Sequence, residues 1–221
     1  MVERAQENAM QGTTDQNIPL KKKRIYGPDV HLVRRGDYTL VEKTYRHRPL
    51  PVRVLGRILV RWETFIYSRI RGIPGIPEVA PGPDPFTLRT SYMGGHDLKS
   101  GARTPGAAYF EALEHLMEEI HARGVIHLDL RNRRNYGMDD EGRPFLIDFA
   151  SSIYLPWKGP LWRLLCAVDR MGYLKIKAKL NPGLLSAEEK RGRALGNTLS
   201  TLWIPPRVFR FLRDLLGRIA R

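Results

Sequence analysis

The stretch richest in reactive side chains runs Val125-Ile126-His127-Leu128-Asp129-Leu130-Arg131-Asn132-Arg133-Arg134-Asn135, and is followed shortly by Phe145-Leu146-Ile147-Asp148-Phe149-Ala150. Short apolar runs at either end read as strands, so the two carboxylates and the amides fall on loops at strand ends, where side chains can converge on a ligand. Asp148 stands between Leu146-Ile147 and Phe149-Ala150, and an aspartate in such surroundings is costly to bury without a partner. One chemistry that uses two carboxylates and an amide is phosphoryl transfer: one carboxylate positions the attacking hydroxyl, while an Asp and an Asn hold the Mg2+ that neutralises the phosphates.

These residues resemble the catalytic elements of protein kinases. His127-Leu128-Asp129 is similar to the H-R-D catalytic loop, Asp148-Phe149-Ala150 to the D-F-G metal-binding turn, and Asn135 to the second metal ligand of the loop. Upstream, Lys43 in the alternating segment Leu40-Val41-Glu42-Lys43 resembles the lysine that contacts the ATP phosphates, and Glu63 resembles its ion-pair partner. Ser91-Tyr92-Met93-Gly94-Gly95 resembles the hinge whose backbone, at Ser91 and Met93, hydrogen-bonds adenine. Taken singly, Lys43 reads as a solvated strand lysine and Glu63 as a surface helix residue; the order and intervals of the whole set carry the resemblance. It covers about residues 28–155. It implies ATP and Mg2+ as cofactors, with Asp129 as base or hydroxyl-positioning residue, and His127 bracing the loop.

The pattern departs from the family in four places. No G-x-G-x-x-G precedes Lys43; only Gly27 and Gly36 flank the first hairpin. The loop from Asp129 to Asn135 is one residue longer than usual, which puts Arg134 where the family has Asn. The spacing to Asp148 assigns the metal role to Asn135, with Asn132 as fallback. Ala150 replaces the usual Gly, and nothing after Asp148 resembles the A-P-E segment. A reduced C-terminal half without that segment disfavours a peptide-docking platform. It points to a minimal kinase similar to RIO-type kinases or to bacterial lipopolysaccharide-core sugar kinases, with a lipopolysaccharide or glycolipid sugar as the favoured acceptor. An atypical serine/threonine protein kinase is the alternative, as is an inactive pseudokinase that binds a partner.

The elements that must position these residues are legible in outline. Residues 1 to about 20 are polar without periodicity and read as a disordered tail ending in the basic run Lys21-Lys22-Lys23-Arg24. Extended segments follow at Val30 to Val33 and Tyr38 to Tyr45, with a turn between them. Val52, Leu55, Leu59, Trp62, Ile66 and Ile70 recur at helical steps, ended by Gly72 and Pro74. A loop-rich stretch, Gly75 to Pro85, leads to a strand at Phe86 to Met93. Thr104 as N-cap, Pro105 at the first position and Gly124 at the end delimit a second helix with a stripe of Tyr109, Leu113, Leu116, Met117 and Ile120. Strands at Val125 to His127, Tyr136 to Met138 and Pro144 to Ile147 follow, the last two joined by Asp139-Asp140-Glu141-Gly142.

This order reads as an α+β, two-lobed protein-kinase-like fold, with a small β-rich N-terminal lobe (25–93) after the tail (1–24) and a reduced helical C-terminal lobe (94–221). In the last part, Pro160 to Leu180 mixes apolar and basic residues. Arg207 to Arg221 sets Val208, Leu212, Leu215 and Ile219 against Arg207, Arg210, Arg218 and Arg221. Such patterns suit packing on the domain or contact with an anionic membrane surface.

Composition agrees. The 221 residues carry 37 Lys+Arg against 23 Asp+Glu, a net charge of +14, so an anionic partner is expected. Nucleic acid is disfavoured because no groove-reading or stacking motif is present. The single cysteine, Cys166, rules out an internal disulfide and sits in an apolar setting expected to be core. Neither a signal-peptide h-region nor a membrane-spanning run is seen, so a cytoplasmic location is expected, with a peripheral position at the inner face of the membrane open.

Overall fold

The structure is a computed structural model and describes residues 17–19, 27–35, 38–100 and 104–192. The tail before Asn17, the run Lys21 to Arg24, the Gly36-Asp37 turn and the Arg207 to Arg221 pattern lie outside the described residues. The chain divides into two compact units, Met1–Arg61 with Val79–Tyr92 and Trp62–Glu78 with Met93–Arg221.

The first unit is built on an antiparallel sheet. Its strands are β1 (Asn17–Pro19), β2 (Asp29–Arg35), β3 (Tyr38–Thr44), β4 (Val79–Ala80) and β5 (Thr87–Ser91), in the order β1-β2-β3-β5-β4. Two of these strands fall where the sequence suggested none. β1 lies in the segment read as tail, where Pro19 is tolerated because an edge strand need not donate on both sides. β4 lies in the stretch read as loop and pairs Val79 with Thr90. The central strand β3 pairs Lys43 with Val30 on one side and Leu88 on the other. Directly paired residues share a sheet face, so Lys43 lies on the face of the buried Val30 and Leu88. On the opposite face Glu42 pairs with Arg89 in an ion pair at 2.8 Å.

Helix α1 (Leu50–Arg69) begins with Pro51 in its first turn, where a missing N–H is harmless. Its buried residues are Val52, Gly56, Val60, Glu63, Ile66 and Tyr67, whereas Leu55 and Trp62 of the expected stripe are partly exposed.

In the second unit, β6 (His96–Asp97) joins β8 (Tyr136–Met138) and β9 (Pro144–Leu146) in one sheet, in the order β6-β8-β9. Between β6 and β8 come helix α2 (Ala107–Ala122) and strand β7 (Val125–Ile126), and β7 pairs with β10 (Ile153–Tyr154). Helix α2 starts later than Thr104 and Pro105 suggested. Its N-cap is Gly106, with no side-chain cap, because Pro105 is buried and its carbonyl accepts from Asn181 Nδ2 at 3.3 Å. All five stripe residues are buried, together with Phe110. Gly124 ends the helix with φ +79, and a Cβ there would meet the Leu155 carbonyl oxygen at 2.7 Å, so the position demands glycine twice over. The β8–β9 turn closes as expected, with Gly142 donating to the Asp139 carbonyl at 3.0 Å.

Helix α3 (Pro160–Leu180) buries Leu165, Asp169, Gly172, Tyr173, Leu174 and Ile176. Beyond it, Ser186 and Glu189 form a reciprocal capping box. The Ser186 N–H donates to Glu189 Oε2 at 2.8 Å and the Glu189 N–H donates to Ser186 Oγ at 3.1 Å.

Candidate active site

Asp129 and Asn135 come together through a short 3-10 turn. Residues Arg133–Asn135 form it, capped by Asn132, whose Oδ1 accepts the Arg134 N–H at 3.2 Å. The turn absorbs the extra residue of this loop: Arg134 faces solvent, and Asn135 is buried. Asn135 Nδ2 donates to Asp129 Oδ2 at 2.9 Å and to the Asp129 carbonyl at 3.0 Å. Its Oδ1 accepts from Asn132 Nδ2 at 3.1 Å. Asn132 is therefore a brace for the turn, while Asn135 meets Asp129 directly. Among the described residues Asp129 Oδ1 makes no hydrogen bond, and the side chain is half-exposed.

Asp148 is tied to the same loop through its neighbour. The Ile147 N–H donates to the Asn135 carbonyl at 3.0 Å, and the Ile147 carbonyl lies 3.1 Å from His127 Nε2. Asp148 itself takes the left-handed conformation, φ 68 and ψ 66. A non-glycine residue there is strained and persists only where its surroundings hold it. Phe149, next along, is fully buried between the His127 ring (centroids 4.6 Å apart) and Tyr67 of α1 (5.1 Å, edge to face). His127 is buried and bridges both segments. Its Nδ1 accepts the Asp129 N–H at 3.4 Å, and its Nε2 faces the Ile147 carbonyl.

The floor of the loop is a residue that periodicity did not single out. Asp169, on α3, is 1% exposed and accepts the Leu128 N–H on Oδ1 and the His127 N–H on Oδ2, each at 2.7 Å; His121 Nε2 lies 3.0 Å from Oδ2. The available signal was its isolation, since it is the only acidic residue of Pro160–Leu180. Leu128 has φ 62, the second strained non-glycine residue beside Asp148. Below them, the Tyr136 hydroxyl donates to the Leu130 carbonyl at 2.6 Å. Its pKa lies well above the usual value because of burial and, secondarily, the negative charges of Asp169 and Asp129.

The remaining candidates occupy the following places. Lys43 is half-buried on the central strand of the first unit, and Ser91 ends β5 there. Glu63 is buried on α1, and Met93 is half-buried at the start of the second unit's main segment. Cys166 is half-buried, less enclosed than its apolar neighbours implied. Desolvation, then the Asp169 charge, pushes its thiol up to about 12, which leaves it unreactive.

Oxygen donors on Asn135 and Asp148 match the preference of Mg2+ for hard ligands, and an amide oxygen that accepts one hydrogen bond keeps a lone pair free. These residues therefore fit the ion in chemistry. Among the described residues there is no cluster of three or more His, Cys, Asp and Glu that could hold a metal instead.

No protein-family model and no curated protein matches the chain. Solved structures do. The chain is similar to the Rio2 kinase–ADP/Mg2+-phosphoaspartate complex from Chaetomium thermophilum, with 16% identity, a TM-score of 0.61, and coverage of 87% of this chain and 63% of that one. It is also similar to another crystal structure of that kinase, with 15% identity, a TM-score of 0.59, and coverage of 87% and 65%. The chain thus spans just under two thirds of the length of those chains. At such identity the likeness establishes the fold, which is α+β and protein-kinase-like.

Proposed function

We propose that the chain is an atypical kinase that transfers the γ-phosphoryl group of ATP to a hydroxyl. The observation that carries this reading is the bond from Asn135 Nδ2 to Asp129 Oδ2 at 2.9 Å, made on a loop stitched to the backbone beside Asp148. Asn135 fixes one carboxylate oxygen of Asp129, and the other is left to take the proton of an incoming hydroxyl. Asn135 and Asp148 would hold Mg2+, which would supply neutralisation of phosphate charge. Lys43, Glu63, Ser91 and Met93 keep the nucleotide roles that the resemblance gives them. Holding Leu128 and Asp148 in strained conformations is consistent with a preorganised site, since such strain clusters where function requires it.

The acceptor in this reading is a sugar of a lipopolysaccharide or related glycolipid, met at the inner face of the membrane; a protein hydroxyl is the second choice. Arg131, Arg133 and Arg134 support an anionic acceptor. They crowd the loop around Asp129 and make no ion pair among the described residues. Transfer of labelled γ-phosphate to a lysate separated into protein, lipid and nucleic acid tests the reading. Label should enter the lipid fraction with wild-type protein and Mg2+, and Asp129→Ala should abolish it. ATP binding without transfer to any fraction would identify an inactive binding module, and absence of ATP binding would sink the kinase reading altogether.

A further inference from the structure

Helix α3 turns its polar anchor, Asp169, inward and leaves an apolar face outward. Leu161 and Leu164 are each 58% exposed, and Trp157, just before the helix, is 78% exposed. Leu161, Leu164, Val168 and Met171 recur at three- and four-residue steps and so share one side of the helix, with Val168 and Met171 half-buried. Single exposed apolar residues are ordinary, but a run that includes an exposed tryptophan needs a reason.

The charges around this face have one sign. Lys158, Arg163, Lys175 and Lys179 are exposed, and none makes an ion pair among the described residues. The helix has a single acidic residue, the buried Asp169. Arg170, whose side chain points elsewhere, is already paired with Glu114. Nucleic acid would use the cations but leave the leucines in water. A protein partner would place the tryptophan at a desolvated centre with the cations at a polar rim, whereas Trp157 lies at one end of this face with the exposed Lys158 beside it. An anionic bilayer satisfies both, because its headgroups attract the lysines and its acyl boundary takes the leucines and the tryptophan, the side chain favoured at that depth.

We propose that the outward face of α3, from Trp157 to Lys179, docks the protein on an anionic membrane surface. The inference deepens the membrane placement in the reading above and is independent of phosphoryl transfer itself.

The test is flotation of the full chain with phosphatidylcholine vesicles, with and without phosphatidylglycerol, in the absence of nucleotide. Wild-type protein should float only with the anionic vesicles, and added salt should weaken it. The variant Trp157→Ala/Leu161→Ser/Leu164→Ser should lose affinity about tenfold or more, and Lys175→Glu/Lys179→Glu should lose it as well. All these side chains are exposed, so the same preparations should keep the wild-type melting temperature and its shift with ATP and Mg2+. Failure to float with anionic vesicles overturns the proposal, as does unchanged binding by the apolar variant, which would assign the contact to another part of the chain. Equal binding to neutral vesicles also overturns it. Vesicle binding without an ATP shift would remove the kinase reading alone; an ATP shift without vesicle binding would remove the docking face alone.

Discussion

Asp169 holds Leu128 in a left-handed conformation: Oδ1 accepts the Leu128 N–H at 2.7 Å, at a residue whose φ is 62. The same carboxylate takes the preceding N–H, so two successive amides of the loop that carries Asp129 rest on one side chain of α3. Replacing Asp169 with Ala would leave both donors buried without acceptors. Hydrogen bonds to a charged acceptor and unmet buried donors set the scale, about 3 kcal/mol lost in total. Asp169→Asn, which keeps one acceptor, should lose less. Urea denaturation midpoints decide this, and an Ala variant as stable as wild type would show that the carboxylate does not hold the loop.

Leu128 provides a separate check on strain. Glycine bears φ 62 at no steric cost, whereas alanine does not, and both remove the leucine side chain. Leu128→Gly should therefore be more stable than Leu128→Ala by about 1 kcal/mol. The opposite order would mean that the conformation is not strained in solution.

Gly172 lets the backbone of α3 pack closely on the same loop. A Cβ there would lie 2.8 Å from the Leu130 carbonyl carbon and 2.9 Å from its oxygen, and backbone atoms cannot move aside as a flexible side chain can. Gly172→Ala should destabilise the protein by about 1 to 3 kcal/mol. Because Leu130 follows Asp129, it should also reduce phosphoryl transfer more than an alanine placed at the exposed Glu111 of α2. Thermal melting and transfer rates measured together test both parts.

Asn132 and Asn135 should separate cleanly. Asn132→Ala removes the cap of the 3-10 turn, a loss of about 1 kcal/mol in stability, with transfer reduced only in part. Asn135→Ala removes the donor to Asp129 and an oxygen proposed for Mg2+, and should abolish transfer in a folded protein. Equal transfer rates in the two variants would contradict the assignment of Asn135.

Glu189 gives a pH dependence of known sign. Partial burial raises its pKa, but the hydrogen bond from Lys177 at 2.7 Å and the Ser186 N–H outweigh that and leave it below the usual carboxylate range. A depressed folded pKa contributes stability above the unfolded pKa, and that contribution is lost as pH falls through the folded value. Wild type should thus exceed Glu189→Gln in melting temperature at neutral pH, and the gap should close on acidification through the carboxylate range. A gap that widens toward acid would reverse the sign and refute it.

The meeting of Asp129 with Asn135, and of Asn135 with the residue before Asp148, was legible because it depends on residue type and interval. Asp129, Asn135 and Asp148 stand on short segments whose spacing a sequence displays directly. Asp169 was not legible from spacing, because it lies 40 positions beyond Asp129 in the chain and meets the loop only after α3 has docked. Helix α1 shows a different limit. Apolar residues surround it almost completely, so periodicity chose Leu55 and Trp62 for burial, whereas packing buries Val60, Glu63 and Tyr67. Thr104 looked like a cap by type, yet the buried Pro105 and its bond from Asn181, far along the chain, delay the helix. The strands β1 and β4 are too short to show alternation and exist through pairing with longer neighbours.

Ile147 donates its N–H to Asn135 and offers its carbonyl to His127, so the strand leading into Asp148 and the loop after Asp129 share a seam of bonds. Neither segment can fray alone without breaking that seam, and His127 and Leu128 cannot open without leaving Asp169. The amide protons of His127, Leu128 and Ile147 should consequently exchange with solvent deuterium at a common slow rate, as one cooperative opening unit rather than as ordinary surface loops.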